Sequence, residues 1–153
     1  MEIPGSALTR ERMLKRSFAF GVAIIAGIAL DQVLKNIIFL QRSLPAPLVK
    51  FKNYYFAFSI RLPVWLIFCI YALILFFACW YCLRRFAAMR HLEITGWVLL
   101  FAGALSNVGE RIILGYVRDY FFILNGIFNL ADFFIIGGIA LLVFGSSAKN
   151  PAR

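Results

Sequence analysis

Acidic residues are scarce in this chain. Seven Asp and Glu stand against 16 Lys and Arg, and only 15% of the 153 residues are charged. A soluble domain carries about a quarter, and a chain this short cannot hide so much apolar surface in one small core. An ordinary water-soluble domain is excluded. Histidine occurs once, at His91, and cysteine three times, at Cys69, Cys79 and Cys82 within one apolar run. Cys79 and Cys82 form a C-x-x-C, but zinc needs four ligands and there is no second pair. The cysteines therefore read as small buried apolar residues, and neither a metal site nor a cofactor is expected. The formal charge of +9 comes without a basic stripe interleaved with polar recognition residues, so no nucleic-acid partner is expected. The basic residues lie between apolar stretches, where membrane lipids and membrane topology account for them.

What is plentiful is hydrocarbon: 63% of the residues are hydrophobic and the mean hydropathy is +0.86. Leu62 to Leu83 runs 22 residues without a charge, enough to cross about 30 Å of hydrocarbon as a helix. Three further apolar runs are read as spans, at about 17–38, 94–114 and 127–144. The basic stretch Arg10, Arg12, Lys15, Arg16 followed by an apolar run resembles a signal peptide. The run resumes through Ile37, Ile38 and Leu40, however, and more spans follow, which favours a retained helix. The expected fold is an all-α membrane protein, one integral membrane domain over 1–153. It has four transmembrane helices and a small β-like outer insert at about 41–61, carrying Pro45, Pro47 and the aromatics Phe51, Tyr54, Tyr55, Phe56 and Phe58.

Four spans put both termini on one side, together with the Arg84–Arg90 turn. That side holds nine basic residues against seven on the other, a weak bias toward a cytoplasmic placement of the termini. The acids are better sorted. Glu2, Glu11 and Glu93 fall on the cytoplasmic side, whereas Asp31, Glu110, Asp119 and Asp132 all fall at the outer ends of the spans. Acids in or beside apolar segments are costly and mark function. Four at one face predict one site there.

Spacing groups these residues. Asp31 and Lys35 stand at i,i+4, acid first, the favourable order for a helical ion pair, and read as structural support. Asn107, Glu110 and Arg111 project from the third helix, and Asn129 and Asp132 from the fourth. Polar stripes on apolar spans must face protein or water, so two at one depth would face each other across a pocket. Asp119 precedes Asp132 by 13 positions, about 20 Å along continuous helix, but Asn125 and Gly126 are turn formers that would let the chain fold back. Two carboxylates brought together would share a proton, and one could activate water while the other protonates a carbonyl. Composition and spacing leave equal room for two unrelated interfacial acids.

Five segments, in order, resemble the lipoprotein signal peptidase (signal peptidase II) family. Ala29-Leu30-Asp31-Gln32-Val33-Leu34-Lys35 is similar to its D-Q-x-x-K element. Asn53-Tyr54-Tyr55-Phe56-Ala57-Phe58-Ser59 is similar to N-x-G-x-A-F-S. The stretch from Gly103 to Arg111 resembles G-A-x-G-N-x-x-D-R, Gly115 to Tyr120 resembles G-x-V-V-D-F, and Phe128 to Asp132 matches F-N-x-A-D. The resemblance implies that Asp119 and Asp132 are catalytic and that Asn53, Asn107, Arg111 and Asn129 line the substrate pocket. Asp31, Lys35 and Glu110 would support them. It also implies a monomer in the bacterial cytoplasmic (inner) membrane that cleaves lipid-modified prolipoprotein substrates just before a diacylglyceryl-cysteine. Glu110 stands where the family has Asp, Ser106 and Tyr55 where it has Gly, and the stretch from Asp119 to Asp132 is short. These departures leave open an inactive lipopeptide-binding relative. Intramembrane acids by themselves leave open an ion-coupled transporter element.

Overall fold

The computed structural model describes residues 4–55 and 62–147. Phe56, Phe58 and the rest of the insert from 56 to 61 lie outside them, as do Glu2, Lys149 and Arg153. Helix α1 (Pro4–Leu40) is followed by strand β1 (Leu48–Asn53), helix α2 (Val64–Arg85), a 3-10 turn (Phe86–Ala88) and helix α3 (His91–Leu114). Strands β2 (Val117–Ile123) and β3 (Gly126–Phe128) then lead into helix α4 (Leu130–Ser147). Among the described residues, three helices are long and apolar enough to cross a membrane, and α4 is a shorter apolar helix. Its 18 residues reach about 27 Å.

Helices α2 and α3 begin and end for local reasons. α2 starts after Pro63 and stops at Arg84 and Arg85, cations that suit the negative end of the helix dipole. α3 opens on a capping box between Arg90 and Glu93 and closes on Gly115, which adopts φ +80°. A left-handed cap of that kind favours glycine. The fourth span begins later than expected because Gly126 to Phe128 form β3 instead of helix. The first begins earlier, since α1 runs back through the basic segment to Pro4.

The distribution of burial is inside-out relative to a soluble protein. Leu14, Phe18, Trp65, Phe76, Leu83 and Phe144 are exposed, whereas Asp31, Lys35, Asn107, Glu110, Asp119 and Asn129 are buried. Only a lipid surround makes that arrangement favourable, because in hydrocarbon every polar group must be satisfied internally. The chain is a multi-pass integral membrane protein.

α3 is the central helix, with α1 against one side and α4 against another. The α3–α4 approach depends on missing side chains. A Cβ on Gly138 would lie 2.7 Å from the Gly96 carbonyl oxygen, and one on Gly103 would lie 2.3 Å from the Ala131 carbonyl oxygen. Small residues at helix contacts replace the hydrophobic drive that lipid does not supply. Gly138→Leu is therefore expected to lower thermal stability in detergent by about 1–3 kcal/mol. Gly21→Leu, where a Cβ meets nothing within 4 Å, should leave the melting curve in place. Equal melting of both variants would refute the close contact.

The sheet has the order β1-β2-β3 and is antiparallel throughout. Among its described residues the insert between α1 and α2 supplies β1; β2 and β3 come from the connection between α3 and α4. That connection is a hairpin whose two central residues are Leu124 and Asn125, both at positive φ. This matches the twist of a two-residue turn. The turn thus lies one residue earlier than Asn125-Gly126, and Gly126 pairs with Ile123.

Candidate active site

At the end of the molecule that carries the sheet, a cavity of about 640 Å³ opens between α2, α3, α4 and the hairpin. Its polar lining includes Asn53, Asn107, Arg111, Asp119 and Asp132; Tyr71, Val117, Leu124, Ile135 and Ile139 are among its apolar walls. Asp119 comes from the middle of β2. Strand alternation turns Val117 and Asp119 to the buried face and Arg118 away from it. Asp132 sits in the first turn of α4, where a carboxylate is favoured by the helix dipole.

Asparagines tie the two carboxyls together. Asn129 donates from Nδ2 to Asp119 Oδ1 at 2.5 Å, and its backbone N–H donates to Asp132 Oδ2 at 3.1 Å. Asn129 Oδ1 in turn accepts the Asp132 N–H at 3.0 Å, a reciprocal cap on α4. Asn53 Nδ2 donates to Asp119 Oδ2 at 2.8 Å, and Asn107 Nδ2 donates to Asp132 Oδ1 at 2.9 Å. Asn107 Oδ1 accepts from both Asn129 Nδ2 and Lys35 Nζ, at 3.2 and 3.0 Å. Its amide can face only one way, with the NH2 toward Asp132. Burial, and then the charge of Asp132, push the Asp119 carboxyl up to about 6; bonds from Asn53 and Asn129 and the Lys35 charge work against that rise.

Lys35 is wholly buried and meets three acceptors: Asp31 at 2.8 Å, Glu110 at 3.0 Å and Asn107. Asp31 also accepts the Ala131 N–H at 3.0 Å and the Ser106 hydroxyl at 2.6 Å, so it holds the start of α4 from α1. Glu110 is not partnered by its neighbour Arg111. Adjacent helix residues point about 100° apart, and Glu110 pairs with Lys35 and with Arg118, the latter at 2.5 Å. Arg111 turns toward the cavity, donating to the Tyr55 carbonyl at 2.8 Å and lying over the Tyr71 ring. Its Nε is buried without a hydrogen-bond partner among the described residues.

A sequence profile of the family described as signal peptidase (SPase) II matches residues 23–147. The chain belongs to the signal peptidase II family. A lipoprotein signal peptidase of Sinorhizobium fredii is 29% identical over 149 residues, 88% of this chain and 89% of that protein. One from Caldicellulosiruptor bescii is 42% identical over 64 residues, which spans 41% of this chain and only 43% of its relative. Two structures of a bacterial membrane enzyme, solved by the in meso method at 2.3 and 1.9 Å, share the fold. Their TM-scores are both 0.71, at 24% and 23% identity, covering 88% and 86% of this chain and 93% and 94% of theirs.

Two residues at this candidate site carry no local signature in the sequence. Tyr120 is fully buried, and its hydroxyl oxygen accepts the Leu130 N–H at 3.1 Å, linking the strand of Asp119 to the helix of Asp132. Burial pushes its phenol above the usual range. Arg118 reads in sequence as one more basic loop residue, yet it bonds Glu110, Gln32 and Asn36. The run Val117–Ile123 has no apolar–polar alternation to mark either residue, and the partners of both lie on other elements.

Proposed function

We propose that this protein is a membrane aspartic endopeptidase that removes the signal peptide from prolipoproteins, cutting on the N-terminal side of a diacylglyceryl-modified cysteine. The observation that carries the reading is Asn129, which donates to both Asp119 and Asp132 and so holds two acids at one cavity. Family membership supports the substrate class.

The pair works with one proton between its carboxyls. The ionised carboxylate takes a proton from water as the water oxygen bonds to the scissile carbonyl carbon. The protonated partner gives its proton to the carbonyl oxygen, forming a gem-diol. The protonated carboxyl then gives its proton to the amide nitrogen while the ionised one takes a proton from a gem-diol hydroxyl, so the C–N bond breaks as the carbonyl re-forms and the pair again holds one proton. The products are a signal-peptide carboxylate and a lipidated cysteine with a free amine. Arg111, which lines the cavity, is placed to hold a substrate carbonyl, and Asn53, Asn107 and Asn129 orient the acids. The apolar walls suit acyl chains. Every one of these residues comes from a single chain, so a monomer suffices. The basic end, with Arg16, Arg84, Arg85 and Arg90, lies cytoplasmic with both termini, and the sheet lies on the outer face.

Purified protein should convert a diacylated prolipoprotein into two products cut before the cysteine. Tight lipopeptide binding without turnover would overturn the reading in favour of an inactive binder.

The pH dependence has a definite sign. Asp119 titrates at about 6 in the free protein, so the shared proton is lost as pH rises through that value. The alkaline limb of kcat/KM is expected near pH 6, because kcat/KM reports the free enzyme. The limb in kcat should lie higher, since bound substrate further desolvates the pair. A kcat/KM that climbs through pH 6–8 would show that a single ionised base does the work.

A further inference from the structure

Three polar residues behind the site, Glu110, Ser106 and Arg118, meet in one network. The Glu110 carboxylate is fully used. Oε1 takes Arg118 Nε at 2.5 Å, while Oε2 takes both Lys35 Nζ and the Arg118 backbone N–H, each at 3.0 Å. The Arg118 guanidinium continues to α1, donating to Gln32 Oε1 at 3.0 Å and Asn36 Oδ1 at 2.5 Å. Gln32 passes the chain on, its Nε2 donating to Ser106 Oγ at 2.9 Å, and Ser106 donates to Asp31. All donors run one way, from Arg118 through Gln32 and Ser106 to the Asp31 carboxylate.

The network acts on β2 from the face opposite the cavity. Arg118 is next to Asp119 but does not line the cavity and bonds neither Asp119 nor Asp132; through Glu110, Gln32 and Asn36 both the backbone and the side chain of this strand position are tied to α3 and α1. A carboxylate one methylene shorter would fall about 1.5 Å back, too far to keep Lys35 and the Arg118 N–H together. Val at 118 would leave Glu110 with Lys35 and one N–H, and Gln32 Oε1 with no donor from the strand. The long acid and the arginine therefore need each other.

We propose that Arg118 is a positioning residue: with Glu110 and Ser106 it clamps β2 against α1 and α3, and this clamp fixes Asp119 opposite Asp132. The proposal rests on the peptidase reading above. In a matched pair of this kind each single change costs and the double change restores.

The test is a cleavage cycle with the full-length protein and a diacylated prolipoprotein peptide, with kcat expressed per lipopeptide-binding site so that only folded molecules count. Arg118→Val and Glu110→Asp are each expected to lower kcat about ten-fold, as a small displacement of a reacting group does, with KM within about two-fold of the unmodified protein. The double variant Glu110→Asp/Arg118→Val should recover most of the loss. Should Arg118→Val not fold, Arg118→Gln, which keeps a donor without the charge, reads the same cycle. Losses that simply multiply in the double variant, or an unchanged kcat in Arg118→Val, would overturn the clamp while leaving the peptidase standing. No cleavage by the unmodified protein would instead sink the peptidase reading, and the clamp's role with it.

Discussion

Asp119→Asn and Asp132→Asn are each expected to reduce cleavage of a diacylated prolipoprotein by about 10³-fold or more, within the range for loss of a positioned acid or base. The substitution keeps shape but removes the proton exchange. It also reverses one hydrogen bond. Asp119 accepts from Asn53 Nδ2 on one oxygen and from Asn129 Nδ2 on the other. An asparagine can accept only one of these and must turn an NH2 toward the other donor. Asp132, between Asn107 Nδ2 and the Asn129 N–H, meets the same conflict. Each conflict costs about 1–3 kcal/mol, less than the usual stability of a folded domain, so both variants should remain folded and still bind lipopeptide. Full activity in either variant would end the paired-acid mechanism. A loss confined to KM would assign that residue to substrate binding instead.

Much of the architecture was legible because lipid is an unforgiving solvent. Apolar runs marked the four helices, and the polar residues interrupting them marked one end of the bundle. Asn107 and Asn129, read as facing stripes, are hydrogen-bonded to each other across α3 and α4. The sheet was less legible. β1 was expected as a strand-like insert, but its partner is β2, with Phe51 opposite Asp119 and Asn53 opposite Val117. A pairing between segments so distant in the chain leaves no trace in local periodicity. The same reason hid Arg118, Tyr120 and the true partners of Glu110. Each acts on a different element, which periodicity within one segment does not show, and neighbouring charges along a helix, such as Glu110 and Arg111, are a poor guide to ion pairs because they leave the helix in different directions.

Lys35 is where the support for the site is most concentrated, and Lys35→Met is expected to be the most damaging substitution outside the acid pair. The ammonium has no exposed surface and spends its three N–H donors on Asp31, Glu110 and Asn107. Methionine fills a similar volume but leaves two buried carboxylates short of a cation. Breaking a buried pair from one side typically costs about 3–5 kcal/mol, which would show as a large fall in melting temperature in detergent. Arginine is not an equivalent replacement, since its planar fork does not fit a compact three-acceptor nest. A structural loss alone would lower activity only with the folded fraction. Two further effects are specific. Lys35 lowers the Asp119 titration, so in the folded fraction of Lys35→Met the alkaline limb of kcat/KM should move to higher pH. Adding Asp31→Asn to Lys35→Met should recover part of the melting temperature, because the unpaired charge is then gone, although the Ala131 N–H still needs its acceptor. Wild-type stability in Lys35→Met, or a double variant weaker than the sum of its parts, would show that the lysine is not what holds these acids in the membrane.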